Sequence, residues 1–320
     1  MKLIGSLVAA GLLLAGCTSA AAQTGGPSER LLGVGAGNGA YGGVAFARDD
    51  APGYTFYRPE RWPDGPVPVV LWGNGGCRNN GLSASHFLRE IASHGYFVIA
   101  NGAPGEERPP VAELPPAPTS LPENAVTNQP PRATPDETSV EQMLAGIDWA
   151  AAANADAGDP LHGHLDAARV AVLGHSCGGL QALAAGADPR VGAVIAFASG
   201  VYVRADGGLS GVRIGKEDLA RLHTPVAYVI GGPGDIAWPN AVDDFARISH
   251  VPVMLANLPV GHGGTFALAN GGDWARVAVD WLDWQIKGDA AAGRSFVGEG
   301  CRLCTTYGWK VERKQFPDSP

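Results

Sequence analysis

Gly174-His175-Ser176-Cys177-Gly178 places a serine between two glycines, with Gly179 behind it, directly after the apolar run Arg169–Leu173 and directly before a helix-like stretch from Cys177 to Gly186. A serine hydroxyl is a weak nucleophile at neutral pH, and a sharp strand-to-helix turn is one way to present it. At such a turn the serine adopts a strained backbone, the flanking glycines let neighbouring chain pack close, and Oγ stands clear at the sheet edge. In a chain with 46 glycines the bare pattern Gly-x-Ser-x-Gly carries limited weight. Its place between a strand and a helix is what gives it meaning; the alternative is an inert turn.

A serine nucleophile needs a base, and the base needs a carboxylate to orient it. Behind a serine on this kind of turn, the acid and then the histidine follow in chain order. Of the eight histidines, His86, His94, His162 and His164 precede the serine, and His175 sits inside the turn, where it reads as a packing or pocket-wall residue. His223 ends a helix-like stretch and His250 leads into a strand. His262 lies in Pro259-Val260-Gly261-His262-Gly263-Gly264, a glycine-flanked loop between the last apolar run and the final helix, and is the candidate base. Asp235 is the only carboxylate in the loop Gly231–Pro239 and is the candidate acid, with an ordinary turn carboxylate as the alternative. Asp243 and Asp244 fall in the next helix and read as surface charges.

A tetrahedral oxyanion requires backbone N–H donors set in advance. One is assigned to Cys177, next to the nucleophile. The other is assigned to Asn74, or failing that Gly75, in Trp72-Gly73-Asn74-Gly75-Gly76-Cys77. Trp238 and Phe266, close in sequence to the acid and the base, are candidates for the pocket wall or for ordinary core.

These loops need a scaffold. Apolar runs predict strands at Tyr41–Ala47, Tyr54–Tyr57, Pro68–Trp72, Tyr96–Ala100, Arg169–Leu173, Val191–Ala198, Pro225–Ile230 and Pro252–Asn257, several of them apolar throughout, as in a parallel sheet covered on both faces. Helical stretches at Ser83–Ser93, Cys177–Gly186, Pro239–Ile248 and Trp274–Ile286 alternate with them. Another begins at Thr138, where Thr138 and Glu141 fit a capping box and Val140, Met143, Leu144 and Ile147 share a face. The expectation is an α/β fold: a mostly parallel eight-stranded sheet with helices on both faces, formed by one domain over residues 31–320. Pro104–Pro135 reads as a long loop at the pocket rim. Gly200–His223 is a short insertion, so no large lid domain is expected.

Residues 1–17 have one cation, Lys2, then an apolar run, then Leu14-Ala15-Gly16-Cys17, which resembles a lipoprotein signal whose Cys17 is lipidated. Residues 18–30 read as a flexible tether. Export, with membrane association through this N-terminal lipid anchor, is the expectation, and an ordinary cleaved signal peptide is the alternative. In an oxidising compartment the other four cysteines admit three pairings. Cys301 and Cys304 are near enough in sequence to pair locally, which leaves Cys77 with Cys177; free buried thiols are the other reading. One CxxC without a second suitable pair of ligands gives no metal site. A net charge of −8 and the lack of any run of Lys or Arg argue against nucleic acid as a partner.

The glycine-rich loop after the third expected strand, the Gly174–Gly179 turn, the run from Thr224-Pro-Val to Gly234-Asp235-Ile-Ala, and Gly261-His262-Gly-Gly-Thr-Phe together resemble the α/β-hydrolase superfamily, and within it the dienelactone-hydrolase-like, chlorophyllase-like and polyester-hydrolase groups. The resemblance implies the α/β-hydrolase fold, a Ser176-Asp235-His262 triad, no cofactor, and a small-molecule or polymer ester as substrate. Dienelactone hydrolases proper carry a cysteine where Ser176 stands, so their substrate is not carried over. Polyester hydrolases often differ at the oxyanion loop and beside the nucleophile. A peptidase or amidase on the same residues, and a surface lipoprotein that only binds, are the alternatives.

Overall fold

The computed structural model describes residues 27–121, 123, 136–203 and 212–320. Cys17, the signal segment and most of the expected tether lie outside the described residues. The chain forms β1 (Glu29–Ala36), β2 (Gly43–Arg48), β3 (Tyr54–Pro59), β4 (Val67–Gly73), α1 (Ser85–Ser93), β5 (Phe97–Asn101), α2 (Val140–Ala155), β6 (Leu165–His175), α3 (Cys177–Ala185) and β7 (Val191–Phe197). There follow β8 (Val226–Ile230), α4 (Trp238–Arg247), β9 (Val253–Asn257), α5 (Gly272–Gln285), the short helices α6 (Ala290–Gly293) and α7 (Arg302–Thr305), and β10 (Lys310–Lys314).

Among the described residues the sheet has ten strands, not the eight expected, in the order β1-β2-β3-β5-β4-β6-β7-β8-β9-β10. The two extra strands are its edges, and neither has a buried apolar run. β1, Glu-Arg-Leu-Leu-Gly-Val-Gly-Ala, has no buried residue and takes up the last two residues of the expected tether. β10, Lys-Val-Glu-Arg-Lys, is charged, as edge strands often are to discourage further pairing. The consecutive pairs from β5–β4 to β8–β9 are parallel. Antiparallel pairs flank them.

Alternation along each strand divides the core between the two faces of the sheet. In β4, Val69 and Leu71 join Met143, Ile147 and Leu180 on the α2–α3 face. Val70 and Trp72 join Phe87, Leu88, Trp274 and Trp281 on the α1–α5 face. α2 starts one residue later than its capping box predicts: Ser139 is the cap, its Oγ accepting from the Gln142 N–H at 3.1 Å. Thr138 instead donates its hydroxyl to the Cys77 carbonyl at 3.1 Å. Asp244 also differs from expectation. It is fully buried, where its carboxylate accepts the Val201 N–H at 2.7 Å and pairs with Lys216 at 2.6 Å. Burial pushes this carboxyl up to about 6.

The proline-rich segment over residues 104–121 is a loop bound to the body of the fold. Val111 N–H donates to the Ala267 carbonyl at 2.8 Å, and Pro118 lies so close to Gly234 that a Cβ there would be 1.9 Å from the Pro118 oxygen. No helix among the described residues is long and apolar enough to cross a membrane.

Candidate active site

Parallel strands end on one edge of the sheet, so the loops leaving their carboxyl ends form one cluster. Here β4 leads into Asn74, β6 into Ser176, β8 into the Asp235 loop and β9 into the His262 loop. The strand order turns back between β5, β4 and β6, which puts Asn74 and Ser176 beside that switch point.

Ser176 has φ 54° and ψ −118°, a left-handed conformation that costs about 1–3 kcal/mol in a residue with a side chain. The surrounding chain holds it there. Its N–H donates to the Phe197 carbonyl at 2.9 Å, and its own carbonyl accepts the Ser199 hydroxyl at 2.7 Å. The glycines around it are required by space. A Cβ on Gly174 would lie 2.0 Å from the Gly178 oxygen, and one on Gly178 would lie 2.0 Å from the carbonyl of Gly73.

Ser176 Oγ is 3.0 Å from His262 Nε2, and His262 Nδ1 is 2.6 Å from Asp235 Oδ1. A carboxylate only accepts, so Nδ1–H faces Asp235 and leaves Nε2 free to accept the serine proton. Asp235 is fully buried, and the N–H groups of Gly231 and Ala237 donate to it at 3.0 and 2.9 Å, which fixes its plane. The three residues singled out in the sequence are thus joined in one hydrogen-bonded row. His250, set aside because it leads into a strand, instead donates from Nε2 to the Leu222 carbonyl.

The expected oxyanion donors also come together. Among the described residues, no hydrogen bond uses the main-chain N–H of Cys177 or Asn74. The loops that bear them are joined twice: Gly178 N–H donates to the Asn74 carbonyl at 3.0 Å, and Cys77 and Cys177 form a disulfide pair with Cα atoms 5.1 Å apart. Cys301 and Cys304 form the second pair. The first closes a loop of 100 residues and so restricts the unfolded chain by up to about 4.7 kcal/mol; the second closes a far shorter one. The Asn74 side chain is buried and committed to structure. It accepts from Trp72 Nε1 and Ser83 Oγ and donates to the carbonyls of Arg78 and Asn101.

His175 has a role that its sequence context did not reveal. Its Nε2–H donates to the main-chain carbonyl of His262 at 2.8 Å, so the residue before the candidate nucleophile holds the loop of the candidate base. Burial and the neighbouring His262 push the His175 ring down to about 4 from an ordinary value near 6.5. The folded protein therefore keeps this ring neutral where the unfolded chain binds a proton. The resulting stability is complete above pH 6.5 and is lost as the pH falls from 6.5 towards 4, by on the order of 3 kcal/mol. A His175→Asn variant should show a flatter thermal midpoint across this range than the parent. Equal slopes in the two proteins would remove His175 from that role.

A cleft of about 290 Å³ adjoins the row and is lined by Gly75, His175, Gly263 and Phe266, among others. Phe266 therefore reaches the cleft, while most of its ring packs against Trp72, Phe87 and Trp274. Trp238 does not line it; it is half-buried against the core on the α2–α3 face. Comparison of the chain with protein-family models gives no match, and comparison with curated proteins gives none either.

Proposed function

We propose that this protein is a serine hydrolase of the α/β-hydrolase fold that cleaves carboxylic esters. The observation that carries the reading is the row Ser176–His262–Asp235, anchored at one end by a strained serine and at the other by a fully buried carboxylate. His262 Nε2 takes the hydroxyl proton as Oγ bonds to the ester carbonyl carbon. The oxyanion accepts the N–H groups of Asn74 and Cys177. Collapse expels the alcohol, which takes the proton from His262 and leaves an acyl-serine. Water, deprotonated by the same imidazole, then releases the acid and restores Ser176.

Peptide or amide cleavage by the same residues is the second reading, and no feature of the cleft favours it. A protein that only binds would have no need of the Ser176 strain. Export with lipidation at Cys17 belongs to the same proposal, and the paired cysteines suit an oxidising compartment.

A fluorophosphonate probe should label the parent protein at Ser176, and short-chain p-nitrophenyl esters should be turned over. The Ser176→Ala variant should do neither. Labelling that persists in Ser176→Ala, or parent protein that resists the probe, would sink the proposal.

A further inference from the structure

The cleft that adjoins the row carries two arginines, Arg78 and Arg108, on its walls, and among the described residues no Asp or Glu lines it. Neither arginine forms an ion pair among the described residues, a state they share with Arg61 and Arg313, whereas Arg48, Arg58, Arg89, Arg169 and Arg190 each meet a carboxylate.

The backbones of both arginines are tied to the site. The carbonyl of Arg78 accepts from the Asn74 side chain at 3.1 Å, one residue after the disulfide. The carbonyl of Arg108 accepts from His86 Nε2 at 2.9 Å, which ties the proline-rich loop to α1 at the cleft. Gly75, His175 and Gly263, which also line the cleft, are the chain neighbours of Asn74, Ser176 and His262. A group held by the arginines is therefore beside the loops that carry Asn74, Ser176 and His262.

We propose that this cleft takes a carboxylate carried by the substrate, so that the preferred ester is a monoanion held by Arg78 and Arg108 while its carbonyl lies at Ser176. A guanidinium presents a planar fork of donors that matches a carboxylate. The inference rests on the ester-hydrolase reading and deepens it by naming a substrate class.

Two ester pairs test it. p-Nitrophenyl hydrogen glutarate against p-nitrophenyl valerate places the charge on the acyl side; 4-acetoxybenzoate against 4-acetoxybenzamide places it on the leaving side. At low salt, at least one pair should favour the anion in kcat/KM by about tenfold or more. The preference should shrink towards unity in an Arg78→Gln, Arg108→Gln double variant and at high salt. Arg61→Gln, which follows β3 at the opposite edge of the sheet, should leave the ratio unchanged. In Ser176→Ala protein, calorimetry should detect binding of monomethyl glutarate that the double substitution removes. Equal turnover within both pairs, or binding that survives the double substitution, overturns the proposal. Arginine-dependent binding without any ester turnover upholds the anion site and overturns the ester reading instead.

Discussion

Replacing Ser176 by glycine is expected to abolish ester turnover and at the same time to raise the thermal midpoint, whereas Ser176→Ala abolishes turnover without the gain. Both variants lose the hydroxyl and its bond to His262. They differ in the backbone. At φ 54° an alanine keeps the strain of about 1–3 kcal/mol, and a glycine has none. Glycine gives back about 0.5–1 kcal/mol through the greater freedom of its unfolded chain, so a net stabilisation of about 1 kcal/mol is expected, or a few degrees. Calorimetric melting of the two variants side by side measures the difference. A glycine variant no more stable than the alanine variant would show that the turn carries no strain.

Gly178→Ala is the second large effect. The added methyl would lie 2.0 Å from the Gly73 carbonyl and 2.6 Å from the Asn74 nitrogen, both backbone atoms with no rotamer to yield. Separation of the two loops is opposed by the disulfide beside them. The strain therefore falls on the Asn74 N–H, on whose direction the proposed oxyanion hole depends. Loss of one such donor typically costs about 10²–10³ in kcat, and overpacking of this size costs about 1–3 kcal/mol of stability. The kcat for p-nitrophenyl acetate together with the thermal midpoint checks both. A variant that melts a little lower yet turns over at the parent rate would rule out Asn74 as a donor.

The parts of the molecule that could be read from sequence are those whose signal is local. Buried parallel strands such as Val226–Ile230 are apolar at every position, so they stand out without any partner in view. Ser176, Asp235 and His262 were legible because each lies on a short glycine-bearing loop just after such a strand. β1 and β10 were not, because an edge strand is defined by its neighbour, and their own residues are exposed or charged. Asp244 was misread for a similar reason: only the fold brings Lys216 and the Val201 N–H to it. Arg108 belongs to a segment without periodicity, and its place at the cleft comes from His86, which is 22 residues away. The bond from His175 to the His262 carbonyl spans 87 residues, and nothing within the turn announces it.

The disulfide between Cys77 and Cys177 has a consequence for the order in which this molecule becomes competent. The hydrogen-bonded row of Ser176, His262 and Asp235 contains no sulfur, so a chain with its thiols still reduced can assemble it. The separation between the two oxyanion loops is secured covalently only once that pair is oxidised. On the proposed reading, newly made chain in a reducing compartment would hold the row beside an anion hole tied only by the bond from Gly178 N–H to the Asn74 carbonyl. The proposed esterase activity would mature with oxidation, in the manner of a zymogen activated by its surroundings and without loss of any peptide.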